Sequence, residues 1–157
     1  MLFIPFMSIS AAVNFLTGNR VINSAVLAWF IAQALKVLIE SLRLKKFVWR
    51  RFFTGSGGMP SSHSACVCGA AVAVSKVAGI QSVEFGITAI FAFIVIFDAL
   101  NVRRAAGEHS QVLNYMIRSS DKPTPELFGR QMKEQLGHTL MQVIVGSLLG
   151  LAVGIIL

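Results

Sequence analysis

Acidic residues are scarce in this chain, seven Asp and Glu against fourteen Lys and Arg, and charged residues of both signs fill only 13% of 157 positions. An average soluble domain is about 25% charged, so water is not the main solvent of this protein. Cysteine is nearly absent too. Cys66 and Cys68 stand one residue apart inside an apolar segment, which excludes a disulfide framework and a metal-ligand set and leaves them as small packing residues. The aromatic residues lie mostly in apolar runs, not among the basic residues, and this argues against a nucleic-acid partner despite the positive balance. No segment alternates apolar with polar residues, and an open sheet edge cannot survive in lipid, so strands are disfavoured and the expected fold class is all-α. Neither an internal repeat nor a low-complexity tract is present.

What the chain does have is apolar length. Hydrophobic residues make up 55% of it and gather in five stretches, 1–16, 21–39, 65–80, 83–102 and 139–157. Each approaches the ~20 residues of a spanning helix, which predicts a single integral-membrane domain, 1–157, of about five transmembrane helices. The first stretch lacks a basic leader and an Ala-x-Ala-like cleavage site, so it is taken as a membrane helix, not a signal peptide.

Two long polar connections, 40–64 and 103–138, follow the second and fourth crossings and therefore share one side of the membrane with the N-terminus. Eleven of the fourteen cations lie in them. The bias of Lys and Arg toward the cytoplasm places this face inside, with the chemistry facing the cytosol. Glycines recur every fourth residue at Gly146, Gly150 and Gly154, a spacing that lets helices approach closely, either within one bundle or as a homodimer seam.

Four clusters on that face carry chemistry. Lys36 lies within an apolar stretch with Arg43 two helical turns on, so both cations share one helix face, as a phosphate site or as a snorkelling pair. Glycine-rich backbone at residues 55–58 runs through Pro60, Ser61, Ser62 and His63 into a new helix, whose first N–H groups suit an anion, with His63 placed to give a proton to a leaving oxygen. Arg103 and Arg104 close the fourth stretch beside Asp98, with Glu108 and His109 a turn beyond, and the planar fork of arginine suits phosphate oxygens. His138 precedes the last helix, and Gln142, one turn on, is placed to hold one ring nitrogen and fix the tautomer.

Together these residues resemble the type-two phosphatidic acid phosphatase superfamily, which also contains the vanadium haloperoxidases, and specifically its divergent bacterial and plastid branch, over about residues 21–151. Lys36 and Arg43 match its first motif, with Leu44 where a proline usually follows. Pro60-Ser61-Ser62-His63 matches its second, Pro-Ser-Gly-His, with Ser62 in place of glycine. Its third is split: Arg103-Arg104 supply the arginine, whereas His138 and the glycine helix come about thirty residues later, and Gln142 stands where an acid is usual.

The resemblance implies a lipid-phosphate phosphatase without metal or other cofactor, acting on phosphatidate, phosphatidylglycerophosphate or a polyprenyl (di)phosphate. It implies that His138 attacks phosphorus to form a phosphohistidine, that His63 protonates the leaving alcohol, and that Lys36, Arg43, Ser61, Ser62, Arg103 and Arg104 hold the phosphate. Asp98, Glu134 and His109 are supporting candidates, Glu134 as a substitute acid if its stretch is helical. The rival reading, drawn from Gln142, is a non-catalytic protein of the same fold that binds or moves anionic lipids.

Overall fold

The computed structural model describes residues 18–49, 52, 57–119, 132, 134 and 136–157, and among them there are helices and no strand. Helix α1 spans Arg20–Leu44; it starts where the Asn19 side chain accepts the N–H groups of Val21 and Ile22 and ends at Lys45, in the left-handed conformation (φ 49°). Helix α2 spans Ser62–Val77 under a Ser61 cap, and α3 spans Val83–Phe97 under a Ser82 cap. A π-helical turn, Asp98–Val102, joins α3 to α4, Arg103–Arg118, so Val83–Arg118 is one unbroken helical rod. Helix α5, Leu140–Ile156, opens with a capping box in which Thr139 and Gln142 satisfy each other's backbone N–H groups.

Central α2 packs against α1, α3 and α5. What is buried there is small or polar: Ser24, Ala28, Ala32, Ser61, Ser64 and Ala65 are all fully buried. The large apolar side chains point outward, including Phe30, Ile87, Phe91, Phe93, Leu148 and Ile155, each more than half exposed. Such an inside-out distribution would be costly in water, but in a bilayer it is the natural one, because lipid tails solvate Leu and Phe while small residues let backbones meet.

The glycine stripe shows how close that meeting is. A Cβ at Gly146 would strike the Ser61 carbonyl, one at Gly150 the Ala65 carbonyl, and one at Gly154 the Val72 side chain at 2.6 Å. Helices α2 and α5 therefore run parallel, in contact along their whole length. A homodimer through Gly146, Gly150 and Gly154 would require that contact to open.

The expected spans are only partly met. Among the described residues two helices, Arg20–Leu44 and Val83–Arg118, are long and apolar enough to cross a membrane, and α5 is a shorter apolar helix. The 16 residues of α2 reach about 24 Å, short of the ~30 Å hydrocarbon core, and are mostly wrapped by neighbours. Stretch 1–16 lies outside the described residues. The connection expected over 103–138 begins instead as helix α4: α3 does not stop at Val102, because the π turn carries the chain on.

Candidate active site

All four clusters meet at one end of the bundle, where α1 finishes, α2 and α5 begin and α3 passes into α4. Lys36 is only 2% exposed, and its Nζ donates to Ser62 Oγ at 3.5 Å. Gly58, at φ 89°, lies against the Lys36 stem, where a Cβ would sit 3.3 Å from Cγ. A buried ammonium is expensive unless polar groups or an anion surround it, and the aliphatic stem here is sealed while its head is turned into the site. Exposed Arg43, on the same helix face, lines a cleft of about 510 Å³ with Lys36, Glu40, Gly58, Met59 and Gln142.

At the start of α2 the two serines divide. Ser61 was expected to bind substrate, but its hydroxyl is fully buried, accepts the Ser64 N–H at 3.3 Å and the Ser64 hydroxyl at 2.9 Å, and so serves as the helix cap. Its backbone N–H donates to the Gln142 carbonyl at 2.9 Å, tying α2 to α5. The N–H groups of Ser62 and His63 lie in the first turn, outside the i−4 ladder, and are the two donors such a helix start offers an anion. Exposed His63 stands beside them.

His138 reaches the same place from the far side of a long excursion. The described residues 132, 134 and 136–138 run antiparallel to α4: Asn114 holds Met132 and Glu134, Gly107 lies against Glu134 and Leu136, Gly137 (φ 88°) lies against the Arg104 backbone, and the His138 N–H donates to the Ala99 carbonyl at 3.0 Å. Ala99 belongs to the π turn, whose wider winding shifts carbonyls off the regular ladder. The return brings the two halves of the split arginine–histidine motif together, and the charge of Arg103 acts on the His138 ring with those of Lys36 and His63.

Among the described residues the ring is held through one atom. His138 Nδ1 lies 3.1 Å from Gln142 Oε1, and the Thr139 N–H donates to the same oxygen at 3.2 Å. Because a backbone N–H can only donate, it fixes which end of the amide faces the ring. An oxygen there requires the proton on Nδ1 and leaves Nε2 with a free lone pair. Burial holds the imidazole below its ordinary 6.5; the hydrogen bond to Gln142 opposes this, and Lys36, His63 and Arg103 reinforce it. A neutral, oriented imidazole beside a buried lysine, an arginine and a helix N-terminus has the parts of a nucleophile facing an anion.

The sequence model of the Divergent PAP2 family matches residues 17–153. The chain belongs to the divergent PAP2 family. It is also 35% identical over 152 residues to a protein of Bacillus subtilis (strain 168) named "Uncharacterized membrane protein YuiD", covering 90% of this chain and 96% of that one. No solved structure matches. The protein is thus a membrane protein of a PAP2-related branch, as its motifs and inside-out packing both indicate.

Other expected members of this divergent PAP2 site fall as follows. Arg103 pairs with Asp98 at 2.7 Å and Arg104 with Glu108 at 3.1 Å, all four at least a third exposed; Arg104 also lines a second cleft of about 350 Å³ with Gly57, Gly58, Gly137, His138 and Gln142. Glu134 does not serve as the acid behind His138. Glu134 itself is not in a helix, and its carboxylate accepts from Asn114 Nδ2 at 2.8 Å. His109 is exposed on α4 and lines neither cleft. Sequence reasoning missed Thr139, Ala99, Gly107, Asn114 and Gly137. Only the Thr-x-x-Gln spacing of the capping box and the glycines were visible signals.

Proposed function

We propose that the protein is a membrane phosphatase that cleaves a lipid phosphomonoester or diphosphate through a phosphohistidine at His138. The observation that carries this is the shared Gln142 oxygen, which takes His138 Nδ1 and the Thr139 N–H together and so leaves Nε2 available. In the first half-reaction the Nε2 lone pair attacks phosphorus, the bond from phosphorus to the lipid oxygen breaks, and His63 gives that oxygen its proton. In the second, water attacks phosphorus, the bond from phosphorus to Nε2 breaks, and a proton of the water passes to His63, which releases inorganic phosphate and restores both histidines. Lys36, Arg43, Arg103 or Arg104, and the N–H groups at Ser62 hold the developing charge, a task that is mainly positioning and electrostatics. The lipid tail remains among the apolar helices.

Among the described residues no three His, Cys, Asp or Glu side chains gather as metal ligands. Purified protein in detergent is therefore expected to release phosphate from a short-chain lipid phosphate in excess EDTA, with vanadate competing. Activity lost to EDTA and regained with Mg²⁺ or Zn²⁺ would overturn the mechanism. Lipid phosphate bound without turnover would favour the second reading, a non-catalytic carrier or sensor of anionic lipids. That reading has its own support: with Glu134 engaged by Asn114, the His138 ring rests on a neutral amide, which orients imidazole but does not stabilise its cation as a carboxylate would.

The site is proposed to face the cytosol of a bacterial cell, because Lys and Arg concentrate at its end of the bundle. A cysteine at Ser119, in a background without Cys66 and Cys68, should resist an impermeant thiol reagent in intact cells and react once they are opened. Labelling of intact cells would invert the topology.

A further inference from the structure

The insertion that splits the arginine–histidine motif looks like a defect in sequence, yet at its centre is a side chain with few alternatives. Asn114, on α4, is 4% exposed and uses both ends of its amide on the returning chain. Its Nδ2 donates to the Met132 carbonyl at 2.9 Å and to Glu134 Oε1 at 2.8 Å, while its Oδ1 accepts the Met132 N–H at 3.1 Å. The pair of bonds to Met132 copies one rung of a sheet, on a segment whose described residues have no helix of their own to satisfy them. Below this rung the approach is too close for any side chain at Gly107, where a Cβ would lie 2.7 Å from the Glu134 carbonyl, and the segment ends with the His138 N–H on Ala99.

From this geometry we infer that Asn114 is a positioning residue for His138, a latch that sets the returning segment in register along α4 and so delivers the imidazole to Arg103 and Lys36. This rests on the phosphatase reading for its kinetic consequence but not for its structural one. The amide is the chemically fitting side chain, because the latch needs a donor for Met132 O and Glu134 and an acceptor for Met132 N–H on one short stem. An aspartate there keeps the acceptor, loses both donors and faces a second carboxylate.

The latch is tested by exchanging donor and acceptor across it. Asn114→Asp should lower kcat about tenfold to a hundredfold while leaving KM unchanged, since the cations that bind phosphate stay in place and only the nucleophile is misplaced. Adding Glu134→Gln to that variant supplies an amide donor opposite the new carboxylate and should recover much of the loss. Hydrogen exchange of residues 132–139, read without substrate, should quicken in Asn114→Asp and slow again in the double variant, with α1 and α2 unchanged. If the wild-type protein shows no turnover, the phosphatase reading fails and the exchange pattern alone decides the latch. Unchanged kcat and exchange in Asn114→Asp, no recovery on adding Glu134→Gln, or faster exchange throughout the bundle would overturn it.

Discussion

Replacing His138 with alanine is expected to lower turnover about a thousandfold or more while lipid-phosphate binding persists, because the cations that hold the anion stay and only the attacking nitrogen is lost. His109→Ala should be near wild type, since that ring is exposed on α4 and borders neither cleft. Phosphate trapped on His109, or full activity in His138→Ala, would overturn the assignment. The pH profile offers a second check. Burial holds His138 below 6.5, so the reactive neutral ring should persist into mildly acidic solution and the acid limb of kcat/KM should fall below 6.5. The sign for stability follows from the same displacement: the folded state takes up this proton less readily than the unfolded chain, so the contribution of His138 is full above 6.5 and is lost as pH falls toward the lower folded-state value. An acid limb above 6.5 would mean that the ring is not held as described.

The sequence made the candidate site easier to pick out than the architecture. Lys36 could be chosen because an ionisable group in an apolar stretch is rare, and Arg43, His63 and His138 because they stand beside helix ends at spacings set by local chain geometry. Their convergence at one end follows from helix order, since α1, α2, α3 and α5 alternate in direction. Three features were not legible, each for a physical reason. Asn114 and Gly107 act through partners 18 or more residues away in the chain, and no local pattern encodes such pairing. Ser61 reads as a ligand in any phosphate motif, and only its burial against Ser64 and α5 shows that its hydroxyl is consumed in capping. The continuation of α3 into α4 was hidden because the apolar run ends near Val102 while the hydrogen-bond ladder does not, and hydropathy reports solvent, not backbone winding. The split motif is the clearest instance: Arg103 and His138 stand 35 positions apart in sequence, and the backbone hydrogen bond from His138 to Ala99 draws them together.

The glycine stripe joins that architecture to the site, and Gly146→Ala should therefore damage both. A methyl group at Gly146 would enter the Ser61 carbonyl and come within 3.0 Å of the Ser61 N and C atoms, all backbone, so no flexible side chain can move aside. The relief available is to push α5 away from α2, and overpacking of this kind costs about 1–3 kcal/mol, occasionally more. Ser61 is also the cap of α2 and the donor to the Gln142 carbonyl, so the displacement passes directly to the first-turn N–H groups and to the amide that holds His138. Turnover should fall further than the loss of folded protein explains. Gly86→Ala is the matched control: this residue lies inside α3 with nothing within 4 Å of the added carbon, and alanine there should be neutral or should stabilise by up to about 1 kcal/mol through helix propensity. Unfolding midpoints in one detergent, with phosphate release measured on the folded fraction, separate the two effects. Equal midpoints for Gly146→Ala and Gly86→Ala would show that α2 and α5 do not meet at Ser61, and the placement of Gln142 and His138 against the start of α2 would fall with that contact.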